Sequence, residues 1–380
     1  MTEAELPGTT SLVLGLSFAI AVVFGAVAQQ TRFCTMGAVA DLAAMGDWTR
    51  LRLWGVALGT AIVGFNLMVA LGWIAAANSI YAGPRVMWLS AVCGGLMFGI
   101  GMVLGGGCAS RNLLRAGTGN LKAVVVLLVV ALAGFATLKG ITAVLRVNSV
   151  DTVFLALEGG QDLPSLLARA TGMSVAGLAG AVGTAIGGAI LVAALYPRRD
   201  RSAELVLGGA GLGLLVVAAW WVSGVLGYTA EHPQTLEATF LATNSRRMES
   251  LTFVSAVSYA ADYLLFFSDA SKVLTIAIVS AAGMIVGAAL HALLTGSLRW
   301  EGFAGAADLR NHLVGGVLMG VGGVTALGCT IGQGLSGVST LSITSVIALA
   351  SILAGGFATV RYQAWQIGRE PDETPLRRTA

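Results

Sequence analysis

Residues 94–108 read GGLMFGIGMVLGGGC, and residues 315–329 read GGVLMGVGGVTALGC. Aligned without gaps at an offset of 221, seven of the fifteen positions are identical: Gly94/Gly315, Gly95/Gly316, Gly99/Gly320, Gly101/Gly322, Val103/Val324, Gly107/Gly328 and Cys108/Cys329. Glycine-rich apolar helices resemble one another cheaply, so the shared Gly-Cys ending carries most of the weight. The same offset pairs Ala40-Asp41 with Ala261-Asp262, and Cys34 with Ser255. The chain therefore reads as two related halves.

The surroundings of these stretches identify the solvent. Apolar residues make up 56% of the 380 residues and charged residues only 11%, against roughly 25% charged in an average soluble domain. Mean hydropathy is +0.83. A bilayer accounts for this composition and a soluble core does not. There is no basic patch with interleaved aromatics, so nucleic acid is excluded as an expected partner. A span needs about 20 mostly apolar residues. Nine stretches meet this, near 11–30, 54–74, 87–107, 122–138, 173–196, 205–226, 272–294, 313–328 and 340–360. Two interrupted apolar stretches, 31–47 and 251–267, read as re-entrant or half-helices. Such backbone is tolerated at membrane depth only where it is buried in protein or lines a cavity.

The expected fold is an all-α polytopic membrane protein in two repeats. Residues 1–172 form the first repeat, 173–204 a linking span and cytoplasmic loop, and 205–380 the second repeat with a cytoplasmic tail. Because an odd span joins them, the second half is inverted, the arrangement of many transporters. Cytoplasmic segments carry the excess of Lys and Arg. With the N-terminus periplasmic, 15 of the 22 Lys and Arg fall on the cytoplasmic side and the other 7 outside. The run Pro197-Arg198-Arg199-Asp200-Arg201 and the Arg-rich C-terminal tail are the firmest markers. Glu3 and Glu5 precede the first apolar run and the first basic residue is Arg32, so that run reads as a retained span rather than a signal peptide.

Four cysteines occur, Cys34, Cys93, Cys108 and Cys329. None forms a CxxC pair, and His232, His291 and His312 are scattered, so neither a metal site nor a cofactor is expected. Three of the cysteines lie in distinctive settings: Arg32-Phe33-Cys34-Thr35-Met36-Gly37, Gly105-Gly106-Gly107-Cys108-Ala109-Ser110-Arg111-Asn112, and Gly328-Cys329-Thr330-Ile331-Gly332-Gln333-Gly334. These stretches resemble the YeeE/YedE family of sulfur transporters over nearly the whole chain. The resemblance implies an hourglass-like bundle in a bacterial inner membrane, in which thiosulfate passes Cys34, Cys108 and Cys329. It also implies a small soluble sulfur-carrier protein as a partner. Cys93 matches no family motif. The family wording usually continues with Gly and Pro where this chain has Ala109-Ser110-Arg111-Asn112, which leaves the exact sulfur or selenium substrate open.

The residue types suit the task. A dianion is costly to strip of water in a low-dielectric medium. Neutral thiols are weak S–H donors, and weak donors in series pass an ion along without trapping it. Gly107 and Gly328 let the backbone approach a ligand closely. Helix starts just after them would present free N–H groups to an anion, and inverted halves would bring the two loops together near midplane. Asn112 and Gln333, at matching repeat positions, are candidate path-lining residues. Arg111 reads either as an anion ligand or as a cytoplasmic anchor. Asp41 and Asp262 read as proton-coupling groups or as caps. Trp220-Trp221 reads as an interfacial anchor. Two further functions stay open at this level. One is carriage of sulfur or selenium as a cysteine persulfide, which needs an activated thiolate. The other is a membrane thiol oxidoreductase, which would want a redox cysteine pair.

Overall fold

A computed structural model describes residues 6–196, 202–231 and 236–367 of the chain. The basic run 197–201, His232 and the basic tail beyond residue 367 lie outside the described residues. The chain folds almost wholly into helices. Helix α1 (Leu6–Gln30) breaks before α2 (Thr35–Met45), and α3 (Thr49–Ala70) follows. Helix α4 (Trp88–Leu104) breaks before α5 (Ala109–Gly117), and α6 (Leu121–Lys139) follows. The short helices α7 (Ile141–Asn148) and α8 (Leu163–Thr171) lead to α9 (Val175–Leu195). The second half comprises α10 (Ala203–Trp221), α11 (Val254–Leu265), α12 (Ile276–Leu294), α13 (Ala306–Thr325) and α14 (Ile343–Ile367). A π-helical turn, Val222–Leu226, extends α10, and a π-helical segment, Gly332–Gly337, precedes α14. Two-residue ribbons tie loops together, Arg85–Val86 with Leu155–Ala156 and Tyr228–Thr229 with Thr239–Phe240.

Local chemistry sets several boundaries. Asn120, Ser174 and Ser202 each accept a hydrogen bond from a first-turn N–H, capping α6, α9 and α10 and satisfying a donor that no helix can satisfy itself. Eight helical stretches among the described residues are long and apolar enough to cross a bilayer, one fewer than expected. The ninth stretch is α13. It has 20 residues, but it starts back at Ala306 and takes in Asp308, Arg310 and His312, which dilutes its apolar run. Helices α2 and α11, with 11 and 12 residues, are about 16–18 Å long at the α-helical rise. Neither reaches across a hydrocarbon core of about 30 Å.

Glycine sets the packing. A Cβ on Gly94 would lie 2.7 Å from the Gly322 carbonyl oxygen, and one on Gly315 would lie 2.8 Å from the Gly101 carbonyl oxygen. Helices α4 and α13 thus cross antiparallel with their backbones in contact. The same rule holds along α4 with α14, where Gly99 faces the Ile352 carbonyl, and along α13 with α6, where Gly320 faces the Val130 carbonyl. Helix α12 seats Gly287 on the Val22 carbonyl of α1, and α10 seats Gly213 on the Ala57 carbonyl of α3. Helix α9 packs on α3, with Gly187 against the Gly59 carbonyl. Small residues that let backbones approach are the normal device for helix association in lipid.

Two sequence expectations change here. Trp220 is no interfacial anchor: it is fully buried and donates from Nε1 to the Ser339 hydroxyl at 3.2 Å, so its indole N–H finds a protein partner. Asp41 and Asp262 cap neither α2 nor α11. Asp41 pairs with Arg50 at 3.3 Å, and Asp262 pairs with Lys139 and Lys272 at 2.8 Å each.

The crossing makes a stability prediction. Gly322→Val would place side-chain atoms against the Gly94 oxygen and Phe98 nitrogen, 2.6 Å from a Cβ, and should cost at least about 1–3 kcal/mol. Gly15→Val, with nothing within 4 Å of its Cβ, should change stability by less than about 0.5 kcal/mol. Thermal unfolding of the detergent-solubilised variants measures the difference, and equal midpoints would refute the crossing.

Candidate functional site

All three motif cysteines sit at helix breaks and are buried. After α1, Arg32 takes a left-handed conformation (φ 52°). The chain then extends through Cys34, which occupies the N-cap of α2. The Gly37 N–H donates to Cys34 Sγ at 3.3 Å. The flanking residues are held by Trp54: its ring stacks on Phe33 at 5.7 Å, and its Nε1 donates to Thr35 Oγ1 at 3.1 Å.

The two other breaks are built alike. Gly106 (φ 68°) and Leu327 (φ 58°) occupy the same left-handed turn, and Gly107 (φ 155°) and Gly328 (φ 158°) follow. The Gly107 N–H reaches the Met102 carbonyl at 2.9 Å, and the Gly328 N–H reaches the Gly323 carbonyl at 2.8 Å. Cys108 caps α5. The Asn112 N–H returns to its carbonyl at 2.9 Å, as the Gln333 N–H returns to the Cys329 carbonyl at 2.7 Å. The side-chain amide of Asn112 donates to the Gly107 and Cys108 carbonyls at 2.8 and 3.2 Å, and that of Gln333 donates to the Ala326 carbonyl. Cys108 Sγ lies 3.1 Å from Ser110 Oγ. Cys329 Sγ accepts from the Gly332 N–H at 3.4 Å. Asn112 Oδ1, Gln333 Oε1 and Thr330 Oγ1 are buried with no hydrogen-bond partner.

Cys108 lies within electrostatic range of both Cys34 and Cys329, and Arg111 and Arg50 lie within range of Cys34. The end of α4 lies beside Gly315 and the end of α13 beside Gly94, so the two helix ends flank the crossing, about 16 Å apart at the rise of 11 residues. Arg111 turns aside to donate to Gln29 Oε1 at 3.4 Å.

Two cavities with charged residues in their linings lie near these breaks. One, of about 490 Å³, is bordered by Gln30, Arg32, Asp41 and Arg50, close in sequence to Cys34. The other, of about 80 Å³, is bordered by Gly328, next to Cys329, and by Tyr81, Arg146, Glu249, Ser255 and Tyr259. Sequence reading missed the second group. Its one local signal was Glu249-Ser250, a charged and polar pair directly before the half-helix stretch 251–267. It also missed that Cys34, like Cys108, begins a helix.

Long apolar helices broken at glycine, with polar groups buried at the joints, define a multi-pass membrane protein of the transporter class. More narrowly, the chain belongs to the sulphur-transport family, whose model matches residues 30–358; this is a family of transporters, not enzymes. The chain is 24% identical over 350 residues to the thiosulfate transporter TsuA of Escherichia coli (strain K12), covering 88% of this chain and 90% of that protein. It is 25% identical over 363 residues to the thiosulfate transporter TsuA of Spirochaeta thermophila, covering 92% and 98%. A 110-residue stretch is 30% identical to the probable transporter YedE of Escherichia coli, covering 28% of this chain and 25% of that protein.

Cys93 gives the control for this site. It lies within α4, away from the breaks, and is partly exposed. Cys93→Ala should lower stability by no more than about 1 kcal/mol and leave transport near wild type. Complete loss of transport at normal protein level would show that the path runs elsewhere.

Proposed function

We propose that the protein carries thiosulfate, or a closely related small sulfur anion, inward across a bacterial inner membrane past Cys329, Cys108 and Cys34 in that order. The observation that carries this reading is that three buried thiols sit at helix breaks, with Cys108 in electrostatic range of both others. At Cys34 and Cys329 a backbone N–H engages the sulfur, leaving the S–H proton free to face an anion. Helix starts add first-turn N–H groups. The unpartnered oxygens of Asn112, Gln333 and Thr330 would order water beside the path. Two relatives of nearly the same length named thiosulfate transporters support the choice of anion.

The inverted repeat belongs to the same proposal. Exchanging residues at the 221 offset turns the Gly94–Gly322 approach into Gly315–Gly101, and both occur. The pairing of α4 with α14 matches that of α13 with α6 at this offset, and the pairing of α1 with α12 matches that of α10 with α3 in chain order alone. Asp41 and Asp262, at matching positions, both form ion pairs, although the offset carries Arg50 to Ser271 and not to Lys272. Helix α9 has no counterpart and serves as the link. Short α2 and α11 fill the re-entrant positions. We place the N-terminus outside and the C-terminus in the cytoplasm, so reporter fusions after residue 200 and at residue 380 should both report cytoplasm. A periplasmic C-terminus would sink both the topology and the inversion.

Growth of a bacterium deficient in sulfate uptake, with thiosulfate as sole sulfur source, tests the substrate. Cys→Ala at Cys34, Cys108 or Cys329 should abolish or greatly reduce uptake while the protein accumulates normally. Cys→Ser separates mechanisms, because a hydroxyl donates a hydrogen bond but forms no persulfide. Partial activity in Cys108→Ser and Cys329→Ser supports a hydrogen-bond relay. Dead serine variants, together with a sulfur adduct trapped on wild-type thiols, would replace the relay with covalent carriage.

A further inference from the structure

The small cavity beside Gly328 holds a group that the cysteine path does not use. Glu249 borders it and is only 6% exposed. It lies in the loop before α11, outside the helices that cross the bilayer. One carboxyl oxygen, Oε1, accepts from the Ser245 N–H at 3.0 Å and from the Ser245 hydroxyl. The Glu249 N–H donates to Ser223 Oγ at 2.9 Å, fixing the backbone beneath it. Among the described residues no Lys or Arg forms an ion pair with this carboxyl. The charged and titratable groups around it are otherwise engaged or neutral. Arg146, on α7, pairs with Asp151 at 3.3 Å. Arg247, in the same loop, donates to the Ala77 and Ser79 carbonyls at 3.4 and 3.5 Å. Tyr81, from the loop before α4, and Tyr259, from α11, are phenols.

A carboxylate without a counter-cation, at the mouth of an anion path, is a fixed like charge. Ionised, it repels a dianion that reaches the cavity. Protonated, it is neutral and offers an O–H donor. We propose that Glu249 is a protonation gate on the outer cavity: a sulfur dianion is admitted toward Cys329 when the carboxyl is neutral and refused when it is ionised. This rests on reading the chain as a sulfur-anion transporter that fills from the Cys329 side.

The direction of the pH effect follows. Burial pushes the Glu249 carboxyl above its ordinary range, and the hydrogen bonds from Ser245 and the Asn244 backbone pull it only part of the way back. The neutral form therefore persists to higher pH than for an exposed glutamate. It is lost as pH rises through the raised value. Uptake should be greatest in acid and should fall as external pH rises, by up to about tenfold per unit for one proton.

The test is uptake of radiolabelled thiosulfate into proteoliposomes of the full chain, with external pH varied from about 5 to about 8 around the reference range of carboxyl groups. Wild type should lose uptake toward high pH. Glu249→Gln keeps an acceptor oxygen for Ser245 and removes the titration. It should be flat with pH, near the acid-limit rate of wild type. Thiols also gain negative charge as pH rises, so the comparison between the two proteins, rather than the wild-type slope, decides. A Glu249→Gln profile that follows wild type overturns the gate. So does a variant that reaches the membrane in normal amount but is inactive at every pH. If wild type moves another sulfur oxyanion and not thiosulfate, the substrate reading fails, and the gate stands or falls by the same comparison on that anion.

Discussion

A main chain that leaves the α-helix inside hydrocarbon frees N–H and C=O groups that water cannot reach, and each needs a partner from the protein. The breaks at Gly106–Cys108 and Leu327–Cys329 meet this demand in matching ways. A glycine N–H closes back onto the carbonyl five residues earlier, and an amide side chain, Asn112 or Gln333, covers the carbonyls the turn exposes. Satisfying the backbone in this way uses only the N–H side of each amide. The amide oxygens are left buried and unpaired. A structural requirement therefore deposits polar groups beside each cysteine, where the proposed anion path would use them.

Where the breaks fall depends on how closely the helices approach. Glycine on both sides of the α4–α13 crossing brings backbone against backbone. No other residue would permit this distance. Because the pair is antiparallel, the end of one helix lies beside the body of the other. The ends of the two helices therefore fall on opposite sides of the crossing.

Much of this was legible in the residues. The matched Gly-Cys endings of 94–108 and 315–329 marked the two breaks, while the crossing of the two helices was not read from them. Cys34, Cys108, Cys329, Asn112 and Gln333 were visible because they interrupt apolar runs. What stayed hidden depends on contacts distant in sequence. Trp220 looks interfacial until Ser339, 119 residues away, supplies its hydrogen-bond partner. Asp41 and Asp262 look like caps until Arg50 and Lys139, from other helices, and Lys272, from the loop before α12, arrive beside them. The cavity beside Gly328 draws on residues from 80 to 328, and the Glu249-Ser250 pair is its one local signal. The count of spans differed because α13 starts a full two turns earlier than its apolar run.

Fixed charge is distributed unevenly along the proposed path. Arg50 and Arg111 lie within reach of Cys34, whereas the cavity beside Gly328 carries the Glu249 carboxyl and an Arg146 already paired with Asp151. The motif cysteines themselves supply only neutral donors. Cations near Cys34 raise the local concentration of an anion, and weak donors avoid a deep well from which it would not leave. The two ends are not copies. In the proposed repeat the place of Cys34 is taken by Ser255, which borders the cavity beside Gly328. A hydroxyl there is the stronger hydrogen-bond donor and suits a compartment large enough for water. A thiol at the inner position holds an anion less firmly, next to a larger polar cavity and the Arg50 guanidinium. In the proposed path, then, an anion passes from a firmer donor to weaker ones as it moves inward, and the break in symmetry between Ser255 and Cys34 favours release on the cytoplasmic side.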